Sequence, residues 1–368
     1  MWPAMLPLIL AFLSSFSFVT AATSTARRCV GTITSLSDVS SAVKCMTVNI
    51  ESFTVPAGKT FKLNLLDGTT VNVLGGIQFG NLSWAGPLFL VKGNDITFNG
   101  NNYYWDGGGP FYWDGQGTNG GQTKPHPMMQ IEISGTLNDI YVVNAPAQSF
   151  GISNPGPLTI SGATVDDSMG NSPNSQSNGL PAGHNTDAFD VSSSDLIIQN
   201  SNVVNQDDCL AINKGSNITF ADNYCNGGHG ISIGSISSNV VVSDVTISGN
   251  TVVNSSYAFR IKTDKSATGG SVSNVTYIAN TATNCIQYGV LITQSYPDDM
   301  GTPGTGVTIS DVNFNPGTTS VVADSNAYAV AVNCGSGSCK GNWIWSDLET
   351  SGGKISVSNG DAITGFSS

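Results

Sequence analysis

Charge is scarce in this chain of 368 residues. Only 10% of them are Asp, Glu, Lys or Arg, against roughly a quarter in an average globular protein. The 13 basic side chains face 25 acidic ones, a net charge of −12. So little positive charge argues against nucleic acid and anionic membrane surfaces as partners. No apolar run reaches the ~20 residues that a comfortable membrane span needs. There are three histidines, no Cys-x-x-Cys and no His-x-x-x-His, so neither a transition-metal site nor a cofactor is expected. Aspartates alone leave calcium open. Helical periodicity is also missing. What remains is 39% hydrophobic residues, 43 glycines and abundant Asn, Ser and Thr. That mixture is too apolar for disorder and has ample material for a core. An acidic, polar, β-rich protein is the expectation.

The N-terminus reads as a secretory leader over residues 1–22: an apolar stretch from Leu6 to Val19, then Thr20-Ala21-Ala22 as a small-residue cleavage site. Arg27-Arg28 is either a processing site ending a short propeptide (23–28) or an ordinary exposed pair. Residues 29–368 show no linker or composition break and read as one domain. A secreted, extracellular protein is oxidised, and the spacing of the seven cysteines suggests local pairs: Cys29–Cys45, Cys209–Cys225 and Cys334–Cys339, with Cys285 left as a buried thiol. Asn81, Asn217, Asn254 and Asn274 each begin a glycosylation triplet.

Short β-branched runs recur along the chain, among them Leu196-Ile197-Ile198, Ile218-Thr219-Phe220, Val245-Thr246-Ile247 and Val307-Thr308-Ile309. Asn202, Asn223, Asn250 and Asn280 follow such runs at intervals of 21, 27 and 30 in the numbering. A period in the twenties built from short strands is the pattern of a right-handed parallel β-helix, in which each coil adds one rung to several sheets. Asparagines at equivalent turns would form amide ladders up the stack. The open ends of a solenoid need covers. Ser37 to Cys45 offers one: Ser37 or Asp38 would cap a short helix with Val39, Ala42 and Val43 on one face, stapled by Cys29–Cys45.

Repeat geometry gives the rare charged residues a meaning. Asp187 precedes Asp207 and Asp208 by 20 and 21 in the numbering, His229 follows Asp208 by 21, and Arg260 follows His229 by 31. Each interval is about one coil, so the groups would stand on successive rungs of one face. A lone Asp at a turn is usually a local hydrogen-bond acceptor, and the Arg260/Lys262 pair alone would be a solvated stripe. Their shared register points instead to catalysis. Because successive strand residues face opposite ways, Asp207 and Asp208 can share a cleft only at a strand end or bulge.

Asn185-Thr186-Asp187, Gln206-Asp207-Asp208, Gly228-His229-Gly230 and Arg260-Ile261-Lys262, in this order and spacing, resemble the polygalacturonases of glycoside hydrolase family 28. Trp113-Asp114-Gly115, Gln294-Ser295-Tyr296 and the positions of Cys209, Cys225, Cys334 and Cys339 extend the resemblance over nearly the whole chain, and the likeness is to the secreted fungal endo-acting members. Many of those carry a further C-terminal disulfide that Gly365-Phe366-Ser367-Ser368 lacks. The resemblance implies hydrolysis of α-1,4-linked galacturonan with inversion. Asp207 would be the general acid, its pKa raised by neighbouring carboxylates; Asp187 and Asp208 would position and deprotonate water. His229 would hold the protonation state of the acid. Arg260 and Lys262 would bind substrate carboxylates, Tyr296 would pack on a sugar ring, and Asn185 would hydrogen-bond sugar. Pectin or polygalacturonate is then the expected partner of a monomer. A calcium-dependent pectate lyase and a non-catalytic cell-wall-binding solenoid are the rival readings. The lyase would need calcium and an arginine base, and the non-catalytic reading leaves the carboxylate cluster and the Arg260/Lys262 register unexplained.

Overall fold

The computed structural model describes Met1 and residues 27–366. The expected leader and most of segment 23–28 lie outside the described residues. Strands dominate, and the strand pairings are parallel throughout. One coil shows the principle. Leu210–Ala221 runs along one face as Leu210–Ile212, which pairs with Ile231–Ile233. It then turns a corner, and Ile218–Ala221 pairs with Val245–Ser248. Tyr224–Gly227 forms the third face, its Tyr224–Asn226 pairing with Thr251–Val253. Gly215 makes that corner at φ +122°, where a Cβ would fall 1.7 Å from the Ser193 carbonyl oxygen. No side chain fits there.

Coil stacking places like residues at like levels. Phe150, Phe189, Leu210, Ile231, Phe259, Val290 and Val330 stand in one register, all buried inside the coil. Each alternates with an outward neighbour, so the apolar half of every short run fills one continuous core. Fungible aliphatic and aromatic side chains suffice there, which is why the repeat is loose in sequence.

The amide ladder exists but is shifted by one residue at its foot. Asn223, Asn250 and Asn280 are buried, and the backbone N–H of each lower member donates to the side-chain oxygen above it: Ser201 to Asn223 (2.8 Å), Asn223 to Asn250 (2.9 Å), Asn250 to Asn280 (3.0 Å). Ser201, not Asn202, occupies the lowest rung. Asn202 begins the following strand, pairs with Tyr224 and is exposed.

At the N-terminal end, Leu36–Asp38 forms a 3-10 turn and Val39–Ala42 a single helical turn. Neither Ser37 nor Asp38 caps it. Asp38 turns backwards, its Oδ2 accepting from the Thr34 N–H and hydroxyl, both at 2.9 Å. The segment is a folded loop more than a capping helix. The C-terminal end is filled by aromatics instead of a disulfide: Trp345 packs edge-on to Phe314 at 5.1 Å and to Phe366 at 5.8 Å, beside Trp343. All three expected disulfides are present, Cys29–Cys45, Cys209–Cys225 and Cys334–Cys339. Cys285 is a buried free thiol whose pKa burial pushes up to about 12. Among the described residues no helix is long and apolar enough to cross a membrane.

Candidate active site

Strands Phe189–Ser192, Leu210–Ala221 and Ile231–Ile236 begin level with one another on successive coils. Asp187, Asp208 and His229 each stand two residues before such a start, so they stack at one corner of the solenoid. Asp207 and Asp208 lie in the bend between Asn202–Asn205 and Leu210–Ala221, where the chain is not extended and both carboxylates can face one cleft. Arg260 is not at this corner. The coil that leads to it advances the numbering by 28, from Ser232 to Arg260, and Arg260 stands level with Ser232 on the sheet face.

Buried polar bonds fix the corner. Asn205 Nδ2 donates to the carbonyl oxygens of Thr186 (2.8 Å) and Asp208 (3.0 Å), joining two coils. The Gln206 N–H donates to Thr186 Oγ1, whose hydroxyl donates to Gln206 Oε1. Cys209–Cys225 pins the chain immediately after Asp208. His229 is brought close by its glycines: a Cβ on Gly228 would lie 2.1 Å from the Asp207 carbonyl oxygen, and one on Gly230 would lie 2.2 Å from that of Tyr257.

All eight expected residues (Asn185, Asp187, Asp207, Asp208, His229, Arg260, Lys262 and Tyr296) line one cleft of about 370 Å³. Their partners differ sharply. Asp208 is saturated with positive charge: Oδ1 accepts from Arg260 Nη2 (2.6 Å) and Ser232 Oγ (2.7 Å), and Oδ2 from Lys262 Nζ (3.0 Å). Arg260 also donates from Nε to Ser232 Oγ (3.0 Å), and its guanidinium lies 4.1 Å from the centroid of the Tyr257 ring. Tyr257 is itself held by donating to Asp299 Oδ2 at 2.8 Å. Lys262 Nζ stands 5.3 Å from the Tyr296 ring centroid.

Asp207 accepts three hydrogen bonds. They come from the Asp208 N–H (2.8 Å) and His229 Nδ1 (2.8 Å) on Oδ1, and from Asn185 Nδ2 (3.1 Å) on Oδ2. Asn185 has little freedom to do otherwise, because its Oδ1 accepts from the Thr118 N–H and Asn119 Nδ2, both at 3.1 Å. That loop is clasped by the Trp113-Asp114-Gly115 segment: Asp114 forms a buried ion pair with Lys124 at 2.9 Å and receives the Gln116 N–H. In the free protein Asn185 therefore holds Asp207 and the loop.

Asp187 is the opposite case. It is buried, and its Oδ1 has no partner. Desolvation first, then the charges of Asp207, Asp190 and Asp208, raise its pKa well above the carboxylate range. Asp207, expected to be raised, is held well below that range: its own desolvation is outweighed by the His229 hydrogen bond and charge, with Lys262 and Arg260. The free cleft thus keeps a proton on Asp187 and an anion at Asp207. Asp207, Asp208 and His229 offer ligand atoms within 4.8 Å of one another. Arg260 and Lys262 already supply the positive charge that a cation would bring to Asp208.

Several cleft residues went unread in the sequence, Asp190 and Gln148 among them. Asp190 is half-buried, follows the inward Phe189, and so faces outward beside Asp208; burial and Asp208 push its pKa up to about 7. The alternation Phe189-Asp190-Val191 was the available signal. Gln148 Oε1 is buried without a partner in the same cleft, and nothing in its local sequence marks it. Conversely, Gln294 and Ser295 serve the scaffold, Gln294 binding the Gly335 N–H and Val307 carbonyl; only Tyr296 of that triplet lines the cleft.

The sequence model of glycosyl hydrolases family 28 matches residues 45–366. The chain belongs to glycoside hydrolase family 28. Among family relatives it is 44% identical over 333 residues to an endo-polygalacturonase of Sclerotinia sclerotiorum, covering 87% of this chain and 82% of that one. It is 42% identical over 345 residues to endopolygalacturonase B of Aspergillus oryzae, covering 91% of each. Endopolygalacturonase I from Stereum purpureum, solved with two galacturonates bound, superposes with a TM-score of 0.86 at 48% identity over 90% of this chain and 98% of that one.

Asp190 predicts a pH effect on this family 28 scaffold. An acid whose pKa is raised on folding stabilises fully below its unfolded pKa of ~3.9 and loses that contribution as pH rises towards about 7. Asp190→Asn has no such loss. Its stability relative to wild type should climb between pH 4 and 7 and then level off. The gain is held to about 1–2 kcal/mol because the carboxyl keeps some contact with water. Urea unfolding at pH 4, 5.5 and 7 measures it, and a pH-independent difference contradicts it.

Proposed function

We propose that this chain is a secreted, monomeric endo-polygalacturonase that hydrolyses α-1,4 bonds within polygalacturonate with inversion. The observation that carries the reading is the stack of Asp187, Asp208 and His229 at one corner, with Asp207 beside them and Arg260 and Lys262 on the adjoining face. Its relatives' activities and the bound galacturonates of the Stereum purpureum enzyme support it. The solenoid winds right-handed, as parallel crossovers do, with the Leu36–Ala42 turns over its N-terminal end. Three disulfides accord with export.

In this reading Asp207 protonates the leaving glycosidic oxygen, and Asp187, whose Oδ1 no protein donor reaches, holds and deprotonates the attacking water. Asp208 acts by charge, fixing Arg260 and Lys262 where substrate carboxylates bind. The free cleft has the acid and base in the wrong protonation states. Substrate must move the proton, and it brings the means: its carboxylates repel the Asp207 anion and raise its pKa. Asp187 and Asp207 then titrate as one coupled unit that shares the proton. The basic limb of the kcat profile should therefore lie at higher pH than that of kcat/KM, since the former reports bound and the latter free enzyme. Coincident limbs would contradict substrate-driven proton transfer.

Product analysis tests the function itself. Early digests of polygalacturonate should contain a ladder of oligomers by anion-exchange chromatography. The new reducing ends should appear first as the β anomer in proton NMR, with chelator present and no ultraviolet absorbance. A single small product from the start means exo action; absorbance at the double bond of an unsaturated uronate means a lyase.

A further inference from the structure

The cleft continues past Asp190 over the coils nearer the N-terminus as a groove of about 530 Å³, sharing Gln148, Asp190 and Asn213 with the catalytic part. Its floor follows a single outward register row: Gln130, Gly151 and Asp190 stand level on successive coils, and the row runs on through Ala211 and Ser232 to Arg260. Charge along this row is one-sided. Arg260 and Lys262 supply all the lysine and arginine of the cleft, whereas among the described residues no lysine or arginine lines the groove. The groove offers neutral hydrogen-bonding groups: Gln130, whose Nε2 donates to Ser153 Oγ at 3.0 Å, Gln148 with its unpartnered Oε1, and Asn213, within 3.4 Å of Asp190. The lysines nearest by register do not serve it. Lys92 is paired with Glu132, and Lys214, level with Ser192, is exposed and outside the lining. His126 stands exposed at the rim with Nδ1 2.8 Å from the Lys124 carbonyl oxygen.

A galacturonate carboxylate placed in this groove would lose water without gaining a cation, next to an acidic side chain. A methyl ester would lose nothing comparable. We infer that the groove from Gln130 to Asp190 accepts galacturonate units whose carboxyl is methyl-esterified, while the units over Arg260 and Lys262 must carry free carboxylates. The inference rests on the proposed polygalacturonase activity and assigns Gln130, Gln148, Asp190 and Asn213 to reading sugar hydroxyls, not acid groups. A partly esterified pectin would then be cut where free acid lies on only one side of the bond. Asp190 strengthens the bias: with its pKa near 7, it is a neutral hydrogen-bond donor in acid, and an anion that repels substrate carboxylates above that.

The test digests randomly half-esterified oligogalacturonates in water labelled with oxygen-18, and sequences the products by tandem mass spectrometry. The label marks the products whose anomeric carbon was attacked, so the two sides of the cut are distinguished. Esters next to the cut are expected in one product family at about their starting frequency, and depleted at least about tenfold in the other, where Arg260 and Lys262 lose a charge-assisted partner. Gln130→Lys should deplete esters several-fold in the tolerant family, and His126→Gln should leave the asymmetry in place. Esters excluded from both families, or admitted equally to both, overturn the inference, as does an asymmetry lost in His126→Gln. Unesterified polygalacturonate is digested in parallel: no cleavage there defeats the proposed function, whereas cleavage without asymmetry defeats only this inference.

Discussion

Asp207→Asn should fold as the wild type does and hydrolyse polygalacturonate at least about a thousandfold more slowly, within the range that one positioned general acid supplies. The substitution is nearly isosteric and removes the titratable proton and the charge. The oxygen of the new amide can still accept from His229 and from the Asp208 N–H, the bonds that Asp207 Oδ1 makes at 2.8 Å. Its nitrogen, however, would face the Asn185 nitrogen that now donates to Oδ2. Asn185 is tied to Thr118 and Asn119, so a small local shift relieves that donor–donor contact. Affinity for oligogalacturonate should hold or improve, because one anion has left a site that binds a polyanion.

Asp208→Asn provides the contrast. It leaves Arg260 and Lys262, both buried, with half a partner, so KM and thermal stability should both suffer. A fall in kcat at unchanged affinity for Asp207→Asn, against a combined loss for Asp208→Asn, separates proton donor from charge anchor. Reducing-end assays and calorimetric titration with oligogalacturonate measure the two terms. Turnover within tenfold of wild type would remove Asp207 from the acid role.

How much of this could be read beforehand depends on which property the sequence encodes locally. Coil periodicity is local: a short apolar run must lie inside the solenoid, and the next run must stack on it, so Ile218, Val245 and Val275 could be aligned by eye and are aligned in the structure. The same arithmetic brought Asp187, Asp208 and His229 to one corner. It misplaced Arg260. The register partner of Arg260 is Ser232, three positions beyond His229, and that offset carries the side chain from the corner onto the sheet. The arithmetic also chose Asn202 over Ser201, since a serine backbone N–H donates to a ladder as well as an asparagine does and leaves no compositional trace. Protonation was the least legible property. Counting carboxylates suggested a raised Asp207, but which carboxylate keeps the proton depends on donors that reach it: Asp207 receives His229, Asn185 and a backbone N–H, whereas Asp187 Oδ1 receives none. Those partners are set by a loop and by neighbouring coils that lie far apart in the chain.

Asn250→Ala should be among the most destabilising single changes outside the cleft. Asn250 sits fully inside the solenoid at a turn, in the middle of the ladder. Its Oδ1 accepts from both the backbone N–H (2.9 Å) and the Nδ2 (3.1 Å) of Asn223. Its Nδ2 donates to the Phe220 carbonyl (2.9 Å) and to Asn280 Oδ1 (3.0 Å). Alanine removes all four bonds and leaves the Asn223 backbone N–H without a partner, where no bulk water reaches, while Asn223 Nδ2 keeps only the Ile198 carbonyl at 3.1 Å. An unsatisfied buried group costs about 1–3 kcal/mol and each further lost bond about 1 kcal/mol, so a sum near ~4 kcal/mol is expected. That corresponds to a fall of about 10 °C in thermal midpoint. Asn250→Asp is the informative companion. It keeps the two acceptor bonds from Asn223 but places a carboxylate against the Phe220 and Asn280 oxygens, so it should be as damaging near pH 7 and milder below pH 4, where the acid is protonated and can donate one bond. Because a solenoid transmits stability only between neighbouring coils, the damage should be local. Hydrogen exchange should quicken most at the Asn223, Asn250 and Asn280 turns and least at the Trp343–Trp345 end, and uniform acceleration along the chain would contradict the ladder as a local clamp.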